Sequence, residues 1–268
     1  MKMNEFKEFC REQPDRQNIL DLFRGKWICE VPEKSGLSTG GKVRAFEDER
    51  IRWLLDSYGQ LEGKSVLELG PFEAGHTYML SKLGAGKIVS IEANVSSFLK
   101  CLCIKEVFGM KNVEFLLGDF KDFLADCESK FDLILASGVL YHMPDPLGLL
   151  KQVCRVSDNL FLWTHYVDVD FLAGETNGDG RFGPLRKTSF ENLEYEFSEQ
   201  TYEYGVSDDQ FCGGLERGTK WLTKDSVFRA LKYFGHQHIR VGPNEYNHVN
   251  GPSMCCFSQT AELPPANR

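Results

Sequence analysis

From Ser65 onward, short apolar runs alternate with stretches of helical period. Ser65 to Leu69, Lys87 to Ile91, Val113 to Leu117, Phe131 to Ala136 and Leu160 to Thr164 are runs of strand length. Between them, one helical stretch carries Met79, Leu80 and Leu83, with Thr77 as candidate cap and Gly84 at its end. A second carries Phe98, Leu99, Leu102 and Phe108, capped by Ser96 or Ser97 and closed by Gly109. Leu147 to Val153 is a third. Strands alternating with helices predict parallel βαβ units and an α/β architecture.

Both flanks read differently. Residues 1–60 read as a mostly helical cap, with apolar stripes at Phe6, Phe9, Ile19, Leu20, Leu22 and Phe23. A Gly-rich break over Ser35–Gly41 precedes a second amphipathic helix with Phe46, Ile51, Trp53, Leu54 and Leu55. The rhythm stops after Tyr166. Residues 167–220 mix Gly, Asp, Asn and Glu with scattered aromatics, as a lid or substrate-binding insertion would. At Trp221 it resumes: Thr223 can cap a helix bearing Val227, Leu231 and Phe234, ended by Gly235. Ile239–Val241 and Met254–Ser258 look like a closing strand pair, and the tail from Pro264 is expected to fray. The expected organisation is a cap (1–60), a Rossmann-like core (61–166), an insertion (167–220) and the rest of the core (221–262).

Composition narrows the class. With 42% hydrophobic and 26% charged residues, the 268-residue chain suits one ordinary globular domain with elaborations. No apolar run is long enough to span a bilayer, and the first residues lack the apolar stretch of a secretory signal. The nine cysteines show no disulfide framework and no CxxC pair, so they are expected to be reduced thiols in a cytoplasmic protein. The net charge of −8 disfavours a large nucleic-acid footprint without excluding a local basic patch.

Four short motifs stand where apolar runs end, which places them at the carboxyl edge of a parallel sheet, where such sheets bind ligands. The first, Glu68-Leu69-Gly70-Pro71-Phe72-Glu73-Ala74-Gly75, lets the chain turn at Gly70 and pack closely at Gly75. Its bulk and its acidic Glu73 make a poor phosphate cradle and suit a nucleoside with a cationic group. Glu92 follows Gly70 by 22 residues and can accept from both ribose hydroxyls. In Gly118-Asp119-Phe120, the Asp119 carboxylate can accept from an adenine amine while Phe120 offers an apolar wall. Ser137-Gly138-Val139-Leu140-Tyr141-His142 is the fourth.

These motifs resemble, in order, those of class I S-adenosylmethionine-dependent methyltransferases, from about Gly63 to Thr164 and more loosely over Trp221–Ser258. The resemblance implies a seven-stranded, mostly parallel sheet with helices on both faces and an antiparallel last strand. It implies S-adenosylmethionine as cofactor, with S-adenosylhomocysteine as product. Glu68 and the Gly70–Gly75 backbone, with Pro71, Phe72 and His76, would hold the methionine end. Glu92, Ala93 and Asn94 would hold the ribose, and Gly118, Asp119 and Phe120 the adenine. Ser137, Gly138 and Tyr141 would close the floor. The first motif departs from the usual glycine-richer form. Gly138–His142, the following Pro146-Leu147 and the helix Phe98–Cys101 resemble more closely the tRNA wobble-uridine carboxymethyltransferase group. In that group the tyrosine matched by Tyr141 helps read a carboxylate on the donor.

Methyl transfer needs alignment, and a base only if the acceptor must lose a proton. His142, His165 and Tyr141 are the candidate catalytic residues, with Tyr166 beside them; Trp163 reads as core packing. No metal is expected, although Asp168 and Asp170 follow the fifth strand. Cys101 and Cys103 are badly spaced for thiol chemistry on a helix, and no G-x-S-x-G elbow is present. The leading expectation is methyl transfer to a small-molecule or saccharide acceptor. The alternatives are a tRNA-modifying methyl- or carboxymethyltransferase and a non-catalytic nucleoside-binding module; an NAD-dependent reductase fits the first loop badly. The sequence leaves the oligomeric state open.

Overall fold

The computed structural model describes residues 9–175, 181–201, 215–216 and 218–261. Strands β1 (Ser65–Leu69), β2 (Lys87–Glu92), β3 (Val113–Leu117), β4 (Leu133–Ser137) and β5 (Asn159–His165) pair in parallel, in the order β3-β2-β1-β4-β5. Three further strands, β6 (Arg186–Phe190), β7 (Leu193–Thr201) and β8 (Gly218–Leu222), form a separate antiparallel sheet. β9 (His238–Glu245) and β10 (Ser253–Gln259) extend the large sheet, with β10 antiparallel to both β5 and β9. This is the expected seven-stranded, mostly parallel sheet.

The strand order reverses at β1, so the loops after β1 and β4 are neighbours at the carboxyl edge. That is the topological switch point of such sheets. A Cβ on Gly70 would stand 2.8 Å from the Val139 side chain, so the first and fourth motifs touch.

Side-chain alternation along the strands sorts the core into two layers. Leu67 and Leu69 of β1 face helices α5 (Phe120–Asp126), α6 (Pro146–Val156) and α8 (Lys224–Tyr233). Val66 faces α2 (Glu49–Tyr58), α3 (Gly75–Lys82) and α4 (Val95–Phe108). Adjacent Cys255 and Cys256 fall into opposite layers, and the described cysteines are all free.

Several local expectations are corrected. The cap is not mostly helical. Among residues 9–60 only α1 (Arg16–Leu20) and α2 are α-helical. Pro32 and the left-handed Gly36 (φ 69°) and Gly40 (φ 74°) break the rest into turns. What lies between is an irregular strap whose Cys29 bridges to Val43. Thr77 does not cap α3, which starts at Gly75 after Ala74. The Thr77 hydroxyl instead donates to buried Glu68. Asn94, not Ser96 or Ser97, caps α4 by accepting from the Ser97 amide at 2.9 Å. Thr223 does cap α8.

The insertion hides structure of its own. α7 (Val169–Glu175) and the β6–β7–β8 sheet occupy it, and β8 runs through Trp221 and Leu222, across the expected boundary. In β7 the alternate residues Leu193, Tyr195 and Phe197 are buried against the core, a strand period that the charged partners between them disguise. Phe6, residues 176–180, 202–214 and 217 of the insertion, and the Pro264 tail lie outside the described residues. No described helix is long and apolar enough to cross a membrane.

Candidate functional site

The first loop is held by a buried ion pair. Gly70 (φ 65°), Phe72 (φ 56°) and Ala74 (φ 61°) all take left-handed angles, which are costly for residues with side chains. Glu73 supports that shape. Its carboxylate, buried completely, accepts from the amides of Ile28 (3.0 Å) and Cys29 (2.7 Å) and from Lys100 Nζ (2.6 Å). Lys100 also donates to the Lys26 carbonyl at 2.6 Å. The Glu73 charge is therefore balanced by Lys100 and the strap amides, although the residue also lines the cavity beside the loop. Gly75 packs against the strap as well: a Cβ there would lie 2.7 Å from the Ala45 backbone.

Beside this loop opens a cavity of about 900 Å³, within the usual range for small-molecule sites. Glu92 and Asp119 line it together, as do Gly70, Pro71, Phe72, Gly75, His76, Ala93, Asn94, Phe120, Ser137, Gly138, Tyr141, His142 and His165. Two expected residues do not. Glu68 is 2% exposed and lies under the loop, hydrogen-bonded by the Thr77 and Ser90 hydroxyls. Burial raises its carboxyl against those bonds. Gly118 acts behind the wall, its amide donating to the Glu92 carbonyl at 3.0 Å.

Glu92 ends β2 with one oxygen accepting from the Phe72 amide (3.0 Å) and the other from Asn94 (2.8 Å). Burial pushes its carboxyl up and these amides pull it down. With about four lone-pair sites, the carboxylate keeps acceptor capacity for a ligand hydroxyl. Asp119 caps α5 through the Lys121 amide (2.8 Å), with Lys121 Nζ 3.4 Å from its other oxygen. His76 Nε2 lies 2.8 Å from Asp48, which also holds Arg50. Burial alone would raise the Asp48 carboxyl, but bonds from His76 and Arg50 outweigh it and hold it below the usual carboxylate range.

The far end of the cavity is aromatic. The Tyr141 ring centre lies 4.1 Å from His142, 4.6 Å from His165 and 6.1 Å from Trp163. His165 stacks on Trp221 at 4.9 Å and 10°. Its Nδ1 sits 2.9 Å from the Gly251 carbonyl and 3.2 Å from that of Pro252. Burial lowers His165 to about 4, helped by His248. Burial, then His165, lowers His142 to about 4. Both rings are neutral near pH 7.

Sequence reasoning missed part of this wall. Trp163, read as core packing, lines the cavity, with the Arg50 guanidinium 4.4 Å over its ring. His248 lines it too, 4.9 Å from His165 and 6.0 Å from Trp163, and its Nδ1 accepts from the Asn250 amide at 3.2 Å. A usable signal existed: a last strand antiparallel to β5 returns from that same carboxyl edge, so the 246–252 turn had to lie there. Cys29, Val43 and Ala45 of the strap also line the cavity, and no sequence pattern marked them. Tyr166 is buried and not part of the wall. Asp168 caps α7 and accepts from Tyr246. Among the described residues no three His, Cys, Asp or Glu side chains converge as a metal site.

Residues 60–176 match the family model described as Methyltransf_31, methyltransferase domain. The tRNA U34 carboxymethyltransferase of Campylobacter hominis is 32% identical over 120 residues, which are 44% of this chain and 41% of that one. The enzyme of the same description from Methylococcus capsulatus is 29% identical over 147 residues, 53% of this chain and 44% of its own. The chain thus spans about two-fifths of the length of these curated relatives. Over nearly its whole length it shares the fold of the N-terminal domain of EvdMO1, solved with SAH and D-fucose. There the TM-score is 0.67 at 23% identity, covering 91% of this chain and 94% of that one. Magnesium protoporphyrin IX methyltransferase (ChlM) from Synechocystis PCC 6803, solved with bound SAH, gives a TM-score of 0.55 at 14% identity, covering 92% of this chain and all of that one.

Proposed function

We propose, from a core that is a methyltransferase domain of the class I fold, that this chain binds S-adenosylmethionine or a carboxylated form of it and transfers its activated carbon group. One observation carries the reading: the Gly70–Gly75 loop, Glu92, Asp119 and the Tyr141–His165 cluster line a single cavity. The donor, when bound, would supply a sulfonium-attached carbon already activated toward attack. Glu92 would accept from the ribose hydroxyls with the lone pairs its amide bonds leave free. Asp119 and Phe120 would hold the adenine, the Gly70–Gly75 backbone the methionine end, and Ser137 and Gly138 the floor. Tyr141, His142 and His165 would line the acceptor's approach. The strap, closing over the loop, would exclude water and keep the reacting atoms aligned, an effect that can supply roughly 7–11 kcal/mol.

Calorimetric titration with S-adenosylhomocysteine tests this. One-to-one binding, weakened in Glu92→Ala, is expected; a folded protein that shows no heat of binding overturns the reading.

Of the acceptors considered, the RNA-modifying alternative has more support than the small-molecule acceptor first expected. The curated relatives quoted above are tRNA-modifying enzymes by description, and Tyr141 matches the tyrosine that in that group helps read a carboxylate on the donor. A saccharide or other small acceptor is the second reading, favoured by the aromatic end of the cavity and the net charge of −8. Label transfer from either donor to bulk tRNA, set against transfer to free monosaccharides, separates the two.

A further inference from the structure

Where α2 begins, one carboxylate gathers two bases. Asp48 caps the helix by accepting from the Arg50 amide at 2.8 Å, and it also takes the Arg50 side chain through Nε (2.9 and 3.0 Å) and Nη2. Its Oδ2 accepts from His76 Nε2 at 2.8 Å, and His76 stands on the first turn of α3. Asp48 is thus fixed from α2 and α3 at once, and the guanidinium plane is fixed with it. Trp163 supports that plane, its ring centre 4.4 Å from the guanidinium carbon. Both Nη1 hydrogens of Arg50 are unclaimed among the described residues. A guanidinium anchored along one edge keeps its other edge for a second carboxylate.

Arg50, His76 and Trp163 stand in the cavity wall, whereas Asp48 does not. The other charges there narrow what Arg50 can hold. Glu92, Asp119, Glu216 and Glu245 line the same cavity. Among the described residues its permanent cations are Arg50 and Lys121, and Lys121 is shared between Asp119 and Glu216 at 3.4 Å each. A ligand carboxylate therefore meets unused cationic donors beside Arg50 and like charge along the rest of the wall.

The sheet sets the direction of such a ligand. Asp119 follows β3, Glu92 ends β2, and Trp163 lies in β5, three strand steps from β2. At the usual strand spacing those steps span about 14 Å. Asp119 and Arg50 thus lie on opposite sides of Glu92, so a base and a carboxylate would extend from the ribose in opposite directions. Between Glu92 and Arg50 the ligand crosses the ends of β1 and β4, where Gly70 and Gly138 put no side chain in its way.

We propose that Arg50 binds the carboxylate of the donor's amino-acid end, with Asp48 as the positioning residue that holds the guanidinium and His76 bracing Asp48 from α3. The arrangement selects nucleosides that carry an amino-acid tail over bare ones and fixes which way the donor lies. This deepens the donor reading above and rests on it.

The test is a cycle between ligand and side chain, read by calorimetry on the full chain. Replacing S-adenosylhomocysteine with its decarboxylated amine should cost the wild type about 10–100-fold in affinity. Without an anchor at Arg50, the same replacement would improve binding, because the wall is otherwise rich in carboxylates. In Arg50→Met it should cost less than about 3-fold, since the ligand carboxylate has lost its partner. Arg50→Lys keeps the charge without the fork and should restore part of the preference. Asp48→Asn should reduce the preference several-fold while leaving the amine's affinity in place. Equal affinity of the wild type for the two ligands overturns the inference, whether or not the variants fold. So does a folded Arg50→Met protein that keeps the full preference. Equal weakening of both ligands in Asp48→Asn overturns the positioning role of Asp48. If neither ligand binds the folded wild type, the donor reading falls instead.

Discussion

The two ends of the cavity are built on different plans. At the end proposed for the donor, each group sits at a strand terminus and is held by nearby amides: Glu92 by those of Asn94 and Phe72, Asp119 by that of Lys121. At the aromatic end, proposed for the acceptor, Tyr141, Trp163, His165, Trp221 and His248 come from four separate segments and meet through ring contacts. The donor end is polar and satisfied locally. The acceptor end is aromatic and satisfied only once the chain has returned several times to one edge. The strap, tied to the first loop by Glu73 and Lys100, joins the donor end to residues that precede the sheet.

The largest effect should come from breaking that tie. Lys100→Met leaves the Glu73 carboxylate buried without its cation and should lower stability by about 3–5 kcal/mol in equilibrium urea unfolding. A loss well under 1 kcal/mol would show that the strap is not latched through this pair.

Acid should strike the acceptor end next. His142 and His165 are held near 4 chiefly by burial, against 6.5 ordinarily. Between those values the unfolded chain binds more protons than the folded one, so stability falls as pH drops from about 6.5 toward 4. The pair should account for a few kcal/mol, read from urea midpoints across that range. His165→Gln should flatten the slope, and an unchanged slope would move the acid sensitivity elsewhere.

Gly75→Ala places a Cβ against the Ala45 backbone and should lower stability by about 1–3 kcal/mol as the strap shifts, seen as a lower melting temperature. Glu92→Ala should weaken S-adenosylhomocysteine by about 1–3 kcal/mol in calorimetry while leaving the NMR signals of His165 and His248 in place. Movement of those signals would mean the two ends are not separable. The smallest effect is expected for Tyr141→Phe, which should change S-adenosylhomocysteine affinity by less than about 0.5 kcal/mol. A carboxylated donor should lose more than the ordinary one in that variant; equal losses would remove Tyr141 from carboxylate reading.

Much of the strand-edge end of the cavity was legible in the order of residues. Short apolar runs ending in Gly70, Glu92, Asp119 and Gly138 place those residues at one sheet edge, because parallel strands joined by helices all end on the same side. The misreadings were local contests. Thr77 looks like a cap but its hydroxyl is claimed by buried Glu68, and Asn94 rather than Ser96 or Ser97 caps α4.

Taken alone, then, the order of apolar runs and the residues that end them specify the sheet, the direction of its strands and the donor edge, since strand period and turn chemistry act over a few residues. The strap over the loop, the β6–β8 sheet and the meeting of His165 with His248 were settled only by folding. Those contacts join segments tens of residues apart, and which ones meet depends on packing against both sheet faces rather than on any local pattern.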